Sequence, residues 1–465
     1  MDWQLEAEKR RKDIINELQQ LIAIPSVLSE ETTPEAPFGK EVKRALDWFL
    51  AKGNERGYRV KNVADVAGHL EIGEGEELLG ILGHVDVVPV GDGWTKDPFG
   101  GIVEDGKLYG RGAIDDKGPT IAAWMALNIV KEAGFEFSKR VRLIIGTDEE
   151  SGFKCVERYF ETEEMPTIAF APDADFPIIN AEKGIAAIRF SKSLWEMPDE
   201  LLSFISGKRT NMVPDLAEAV VEGNLEDWQQ ALEEFCGIHS ISGSAETQDG
   251  DVKLIIHGKS AHAMEPDHGV NAGILMALFL KDRLAGDGQE FMEFIVGNFY
   301  QDSRGNQLGL AYADEVSGDT TFNAGIFQFE RNESAIVEIS MRYSINYPFY
   351  EKIKNVGMAG YELTIDSNSP PHYVDGNDPF IKTLQQAYEK QTGDKAELLA
   401  IGGGTYARVL DKGVAFGMLF PGEEDVAHQA DEFVDIDNLI KATAIYAEAI
   451  YELACKKSES TRAGQ

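Results

Sequence analysis

The sequence predicts an α/β protein, a mostly parallel sheet flanked by helices, interrupted by an inserted α+β domain. Two observations carry that class. Over roughly the first 180 residues apolar runs alternate with helical patterns, as a parallel sheet built from crossover units requires. Amphipathic strands and helices then fill the interval from Lys183 to His372, and an apolar run of the first kind returns near the C-terminus. One discontinuous domain is therefore expected from residues 1–182 and 373–465, and a second from 183–372.

The elements of the first domain follow in order. MDWQLEAEKRRKDIINELQQL reads as an amphipathic helix rather than a signal peptide. ELLGILGHVDVVP (77–89) is a strand delivering His84 and Asp86, which are two apart and so point to the same side of an extended chain. GKLYGRGAIDDKGPTIAAWMALNIVKEAG (106–134) holds a glycine-rich turn and the pair Asp115-Asp116. A helix follows, with Pro119 at its start and Gly134 as its stop. The strand VRLIIGT (141–147) delivers Asp148, Glu149 and Glu150, and PTIAFAPDADFP (166–177) closes with Asp173 and Asp175. Late in the chain, GVAFGMLFPGEEDVAHQADE (413–432) is a strand, a Pro-Gly turn and a loop carrying His428. Each apolar run ends in an acid or an imidazole, and open α/β sheets bind ligands outside the carboxyl ends of their strands, where these residues would converge.

Composition narrows the partners. At 465 residues the chain is too long for one ordinary core. Lys and Arg number 44 against 80 Asp and Glu, and a net charge of −36 disfavours nucleic acid and anionic membranes as partners. No apolar run reaches the ~20 residues of a membrane span, so a cytoplasmic protein is expected. Cys155, Cys236 and Cys455 lie far apart without CxxC spacing, which argues against a disulfide framework and a thiolate metal site.

Imidazoles and carboxylates without cysteine suit a hydrolytic divalent-metal centre, with zinc or manganese as its natural occupant. Two metals would need a bridging carboxylate and a water made nucleophilic near neutral pH, and Glu149 and Glu150 could divide coordination from proton transfer. Each residue alone has an ordinary reading. His84 could be a hydrogen-bonded core histidine and Asp115-Asp116 a helix cap. Glu149-Glu150 could be solvated acids, Asp173 and Asp175 a turn, and His428 part of a surface loop. In combination they point to chemistry.

GHVDVVP, YGRGAIDDKGP, GTDEESG, APDADFP and FPGEEDVAHQADE resemble, in this order, the motifs of the M20 family of di-metal peptidases, and most closely its bacterial dipeptidase branch related to carnosinases. The resemblance implies a di-zinc exopeptidase-like catalytic domain. It assigns His84, Asp115 and Asp173 to one metal and Asp115, Glu150 and His428 to the other, with Asp115 as the bridge. It further implies that Asp86 bonds the far nitrogen of His84, that Glu149 is the general base, and that the Asp115–Asp116 peptide is cis.

In that family the inserted piece is a lid, and one of this size mimics a second subunit and permits a monomer, with a homodimer as the alternative. The resemblance places Asn211 (TNMVPD) and His262 (GKSAHAMEP) as oxyanion donors and Arg342 (SMRYS) on the substrate's terminal carboxylate. TNMVPDLAEAVVEG (210–223) and TFNAGIFQFERNESAIVEISMRYS (321–344) echo each other, which suggests an internal duplication. IGGGTYARVL (401–410) reads as a glycine-rich loop opening a helix. It lacks the P-loop lysine, and its match in the dipeptidase branch makes Gly403 and Thr405 candidates for the substrate's C-terminus. His69, His239, His257, His268 and His372 are read as structural, and the tail KKSESTRAGQ as a frayed end. The expected function is a metal-dependent dipeptidase of peptide catabolism acting on short peptides with a free N-terminus, through a metal-bridging hydroxide. The rivals are an aminoacylase or carboxypeptidase acting on N-blocked substrates, and a non-catalytic binding or scaffold member of the family.

Overall fold

The computed structural model describes residues 1–195, 199–357 and 360–455, so the polar tail lies outside the described residues. Two compact units divide the chain. The first takes in Met1–Ala181, Tyr373–Leu399 and the chain from Gly404 onward; the second takes in Glu182–His372 with Ala400–Gly403.

The sheet of the first unit runs Arg59–Val63, Ala67–Ile72, Arg140–Gly146, Leu78–His84, Ile168–Ala171, Gly413–Ala415, Ile178–Glu182. Its four central strands, Arg140–Gly146 through Gly413–Ala415, are parallel, and antiparallel strands flank them. Helices cover a parallel sheet on both faces, which is why its strands read as unbroken apolar runs: every residue of Leu78–His84 is buried. The helices Lys117–Glu132 and Ile436–Ile450 share one core with the sheet through Ile121, Trp124, Leu439 and Ile440. Each such fully buried aliphatic side chain contributes about 1.5–3 kcal/mol relative to exposure.

Close approach of helix to strand is what brings the acids to the strand end. A Cβ at Gly83 would lie 2.1 Å from Thr120 Oγ1, so only glycine lets the first turn of Lys117–Glu132 sit beside His84. That helix starts two residues before Pro119 and is stopped by Gly134, at φ +77°.

Two expectations of local structure are corrected. The N-terminal segment forms two helices, Trp3–Lys9 and Arg11–Ile22, broken at Arg10, whose guanidinium is held by Glu6 and Glu132. The loop of IGGGTYARVL opens onto a single 3-10 turn, Tyr406–Val409, and not a longer helix; the Thr405 hydroxyl caps it, accepting from the Ala407 N–H at 3.0 Å.

The second unit is an eight-stranded sheet, antiparallel at every pairing. Alternate residues of Gly184–Ser193, among them Ala186, Ile188 and Phe190, are buried in a core shared with the helices Leu225–His239, Ala272–Leu280 and Gly286–Phe299. Of the two segments that echo each other, the first carries one strand, Leu216–Val221, and the second carries two, Thr321–Glu330 and Ser334–Tyr343. No helix among the described residues is long and apolar enough to cross a membrane.

Candidate metal centre

His84 closes the strand Leu78–His84 and is fully buried. Its Nδ1 lies 3.0 Å from the Asp86 carbonyl oxygen and 3.4 Å from Asp86 Oδ1. Its Nε2 lies 3.2 Å from Asp115 Oδ1 and 3.7 Å from Asp173 Oδ2; a cation held on that nitrogen would leave the ring proton on Nδ1, against the Asp86 carbonyl. The other oxygen of Asp115, Oδ2, lies 2.9 Å from His428 Nε2, which also sits 3.2 and 3.1 Å from the two oxygens of Glu150. Asp115 thus turns one oxygen toward each histidine. Two further groupings overlap there: His84, Glu149 and Asp173, and His84, Asp115 and Glu150, each offer ligand atoms within 4.8 Å of one another.

The sites of these acids follow from local bonding. Asp86 accepts the Glu149 N–H on Oδ1 at 3.2 Å and the Glu150 N–H on Oδ2 at 3.1 Å, tying the end of one parallel strand to the loop after its neighbour. Asp86 Oδ1 thus stands between the imidazole, at 3.4 Å, and that loop, while the Asp86 backbone carbonyl is the nearer partner of His84 Nδ1 at 3.0 Å. Asp148, the first of the three acids, is buried and braces its own loop by accepting the Lys154 N–H at 3.1 Å. Asp116 stands at the N-cap of Lys117–Glu132 without capping it. Its Oδ2 instead accepts the His84 N–H at 3.0 Å and the Thr120 hydroxyl at 2.7 Å. The Asp115–Asp116 peptide is cis.

The electrostatics show a surplus of buried acid. Burial and the charge of Asp173 push the Glu149 carboxyl well above its usual range, and burial and Asp115 raise that of Glu150. Burial works against ionised Asp115 as well, yet hydrogen bonds from His428 and His84 hold its carboxyl below the ordinary value. The bonds to Asp115 and Glu150 push His428 up to about 11. Carboxylates that can ionise together only beside added positive charge, set among two imidazoles aimed at them, are a donor set that fits divalent cations.

Sequence reasoning missed three residues here. Tyr406 packs near-perpendicular to the His84 ring, with centroids 6.0 Å apart and an interplanar angle of 79°, and its hydroxyl lies 3.0 Å from Cys155 Sγ. It fits only because residue 146 is glycine, where a Cβ would lie 2.1 Å from that hydroxyl oxygen. Arg111 and Glu432 form a buried ion pair at 2.6 Å behind Asp115.

Asn211, His262, Arg342 and Gly403 belong to the second unit, and Thr405 to the first. Asn211 and His262 are exposed on two segments that pair briefly as antiparallel strands, with the Ala263 N–H bonding the Asn211 carbonyl at 2.9 Å and the Val213 N–H bonding that of Ala261 at 2.8 Å. The Asn323 amide clamps this segment, donating to the Thr210 and Met212 carbonyls at 2.8 Å each. Arg342 is buried in the strand Ser334–Tyr343, opposite Thr321 and Ile185.

Comparison with known proteins places the chain in a family. The sequence profile of peptidase family M20/M25/M40 matches residues 80–452. The chain is 47% identical over 465 residues to the Bacillus subtilis (strain 168) protein named "Putative dipeptidase YtjP", covering 98% of this chain and 100% of that one. It is 41% identical over 464 residues to "Putative dipeptidase SH1171" of Staphylococcus haemolyticus, covering 97% and 99%. The fold is similar to that of human carnosine dipeptidase 1, at a TM-score of 0.57 and 15% identity over 97% of this chain and 98% of that one. It is equally similar to the dipeptidase Dug1p of Saccharomyces cerevisiae, with a TM-score of 0.57 and 13% identity over the same shares.

Proposed function

The chain belongs to peptidase family M20/M25/M40 and is a metallopeptidase, and from that premise we propose that it is a dipeptidase acting on substrates with a free N-terminus. One observation carries the site: the two oxygens of Asp115 face His84 and His428 separately. His84 and Asp173 would hold one divalent ion, Glu150 and His428 the other, and Asp115 both; zinc fits this donor set, and manganese is the alternative. When bound, the ions supply Lewis-acid polarisation of the scissile carbonyl and acidify water.

The chain's own residues do the rest. Glu149, next to Glu150 and grouped with His84 and Asp173 at the strand ends, takes the proton of the attacking water and returns it to the leaving amine. The Asp86 carbonyl keeps the His84 proton on Nδ1, so that Nε2 stays a ligand. Asn211 and His262 are the oxyanion donors, supported by their backbone pairing and by the Asn323 clamp. Arg342, with Gly403 and Thr405, receives the substrate's carboxylate. The three free cysteines agree with a reducing cytoplasm, and the size of the inserted unit favours a monomer.

The test is hydrolysis of alanyl-histidine against its N-acetyl form, after stripping with chelator and adding back zinc or manganese. Metal-dependent cleavage of the free dipeptide alone is expected. Preference for the blocked substrate would move the protein to an aminoacylase or carboxypeptidase role, and no cleavage of either would favour a scaffold.

A further inference from the structure

Arg111 and Glu432 are each about 1% exposed, lie 321 residues apart in the chain, and meet directly behind the residues read as metal ligands. Neither is a ligand, and burying such a pair gains little by itself, since desolvation takes back most of the Coulombic attraction. What sets it apart is what the two side chains hold. Glu432 Oε2 accepts from Arg111 Nη1 at 2.6 Å. Its Oε1 accepts three backbone N–H groups of the turn, those of Gly112 at 3.0 Å, Ile114 at 3.0 Å and Asp115 at 3.3 Å. Arg111 Nη2 reaches the other way, donating to the carbonyls of Val90 at 3.1 Å and His428 at 3.3 Å.

The pair thus grips the backbone of Asp115 on one side and of His428 on the other. These are the two residues whose side chains meet at 2.9 Å and on which the spacing of the two ions depends. His428 sits at φ +63°, in the left-handed region that non-glycine residues occupy uncommonly. The neighbouring Asp431 extends the same joint, accepting the N–H groups of Thr95 at 2.8 Å and Lys96 at 3.1 Å. The Arg111 guanidinium lies 5.1 Å from the centroid of the Trp94 ring in that segment.

We propose that Arg111 and Glu432 are positioning residues that set the distance between the two metal positions by locking the Asp115 turn and the His428 loop in one register. This rests on the two-metal reading of the site. Only a carboxylate can accept on both oxygens here. A glutamine would turn its NH2 either on Arg111 or on the three N–H groups, so Glu432→Gln must open one side of the joint. Arg111→Lys keeps the charge but, lacking the fork, cannot hold Glu432 and the His428 carbonyl together.

The experiment is a zinc titration of chelator-stripped protein against a chromophoric chelator, with the visible spectrum of the cobalt-loaded protein and the melting temperature of the metal-free protein recorded alongside. The wild type is expected to take two ions. Both variants keep the tighter ion, bind the second about 10- to 100-fold more weakly, show an altered cobalt spectrum, and recover turnover at high metal with KM unchanged. Variant isotherms that superimpose on the wild type overturn the proposal. So does equal weakening of both ions together with earlier melting of the metal-free protein, the mark of a merely structural pair. If Glu432→Gln does not fold, Arg111→Lys decides by the same criteria. A wild type that binds fewer than two ions removes the two-metal reading itself, and this proposal with it.

Discussion

Replacing Asp86 by asparagine separates two roles that its position next to His84 would otherwise confound. The Asp86 carbonyl, 3.0 Å from His84 Nδ1, survives the change, so the tautomer that leaves Nε2 free to coordinate should survive too. The side chain is another matter. It accepts two backbone N–H groups, from Glu149 at 3.2 Å and Glu150 at 3.1 Å, and an amide has one oxygen for the two of them. One bond to a charged acceptor, worth roughly 1.5–3 kcal/mol, is lost, and a half-buried N–H is left facing an NH2 group. A net cost of about 3 kcal/mol at a site this buried lowers the melting temperature by roughly 6–12 °C for a domain of this size. The Glu149 backbone then loses its anchor, and a shift of about 1 Å in a catalytic group costs on the order of 100-fold in turnover. Asp86→Asn should therefore melt early and turn over about 100-fold more slowly while holding its full metal complement, as read by thermal melting, dipeptide hydrolysis and elemental analysis. Loss of metal at an unchanged melting temperature would refute this reasoning, because it would put the carboxylate's main action on His84.

Other changes have equally definite outcomes. Glu149→Ala should keep its metal and lose about three orders of magnitude or more in kcat, the usual worth of a general base together with its other roles; near-normal turnover would remove Glu149 from that role. Gly146→Ala would force a methyl group to within 2.1 Å of the Tyr406 hydroxyl oxygen. The expected cost is about 1–3 kcal/mol in denaturant unfolding with a measurable fall in metal affinity, whereas an unchanged affinity would detach Tyr406 from His84. His69 is held neutral, its pKa lowered to about 4 by burial and by nearby Arg142, against 6.5 when exposed. The unfolded chain thus binds the extra proton between those values, and stability should fall as pH drops from about 6.5 toward 4, by roughly 3 kcal/mol, then level off. His69→Gln should flatten that part of the stability profile relative to the wild type; identical profiles would contradict the burial argument.

The residues legible in the sequence are those whose position an apolar run announces. His84 ends, and Glu149, Glu150 and Asp173 follow, a strand that is continuous because helices cover both sheet faces, so the strand end could be read and the side chains assigned to one crevice. Asp116 was harder: an acid at a helix start signals a cap, and only the close approach allowed by Gly83 shows that its oxygen serves His84 and Thr120 instead. Arg111 and Glu432 carry no periodic signal, one lying between glycines and the other in an acidic stretch, and their partnership spans 321 residues. Asn323 reads as the start of a strand, and its clamp on Thr210 and Met212 depends on contacts that no local pattern encodes. The ion pair that Arg10 makes at the break between the first two helices is equally unannounced, since Glu132 lies 122 residues away.

The central claim is a pair of divalent ions sharing Asp115, and counting metal tests it most directly. Elemental analysis of the purified wild type and of Asp115→Ala, after stripping and reloading with zinc, should give two ions per chain in the first and a loss of both, or nearly so, in the second, because each ion loses a ligand. Full occupancy in Asp115→Ala, or a single ion in the wild type, would contradict the bridge.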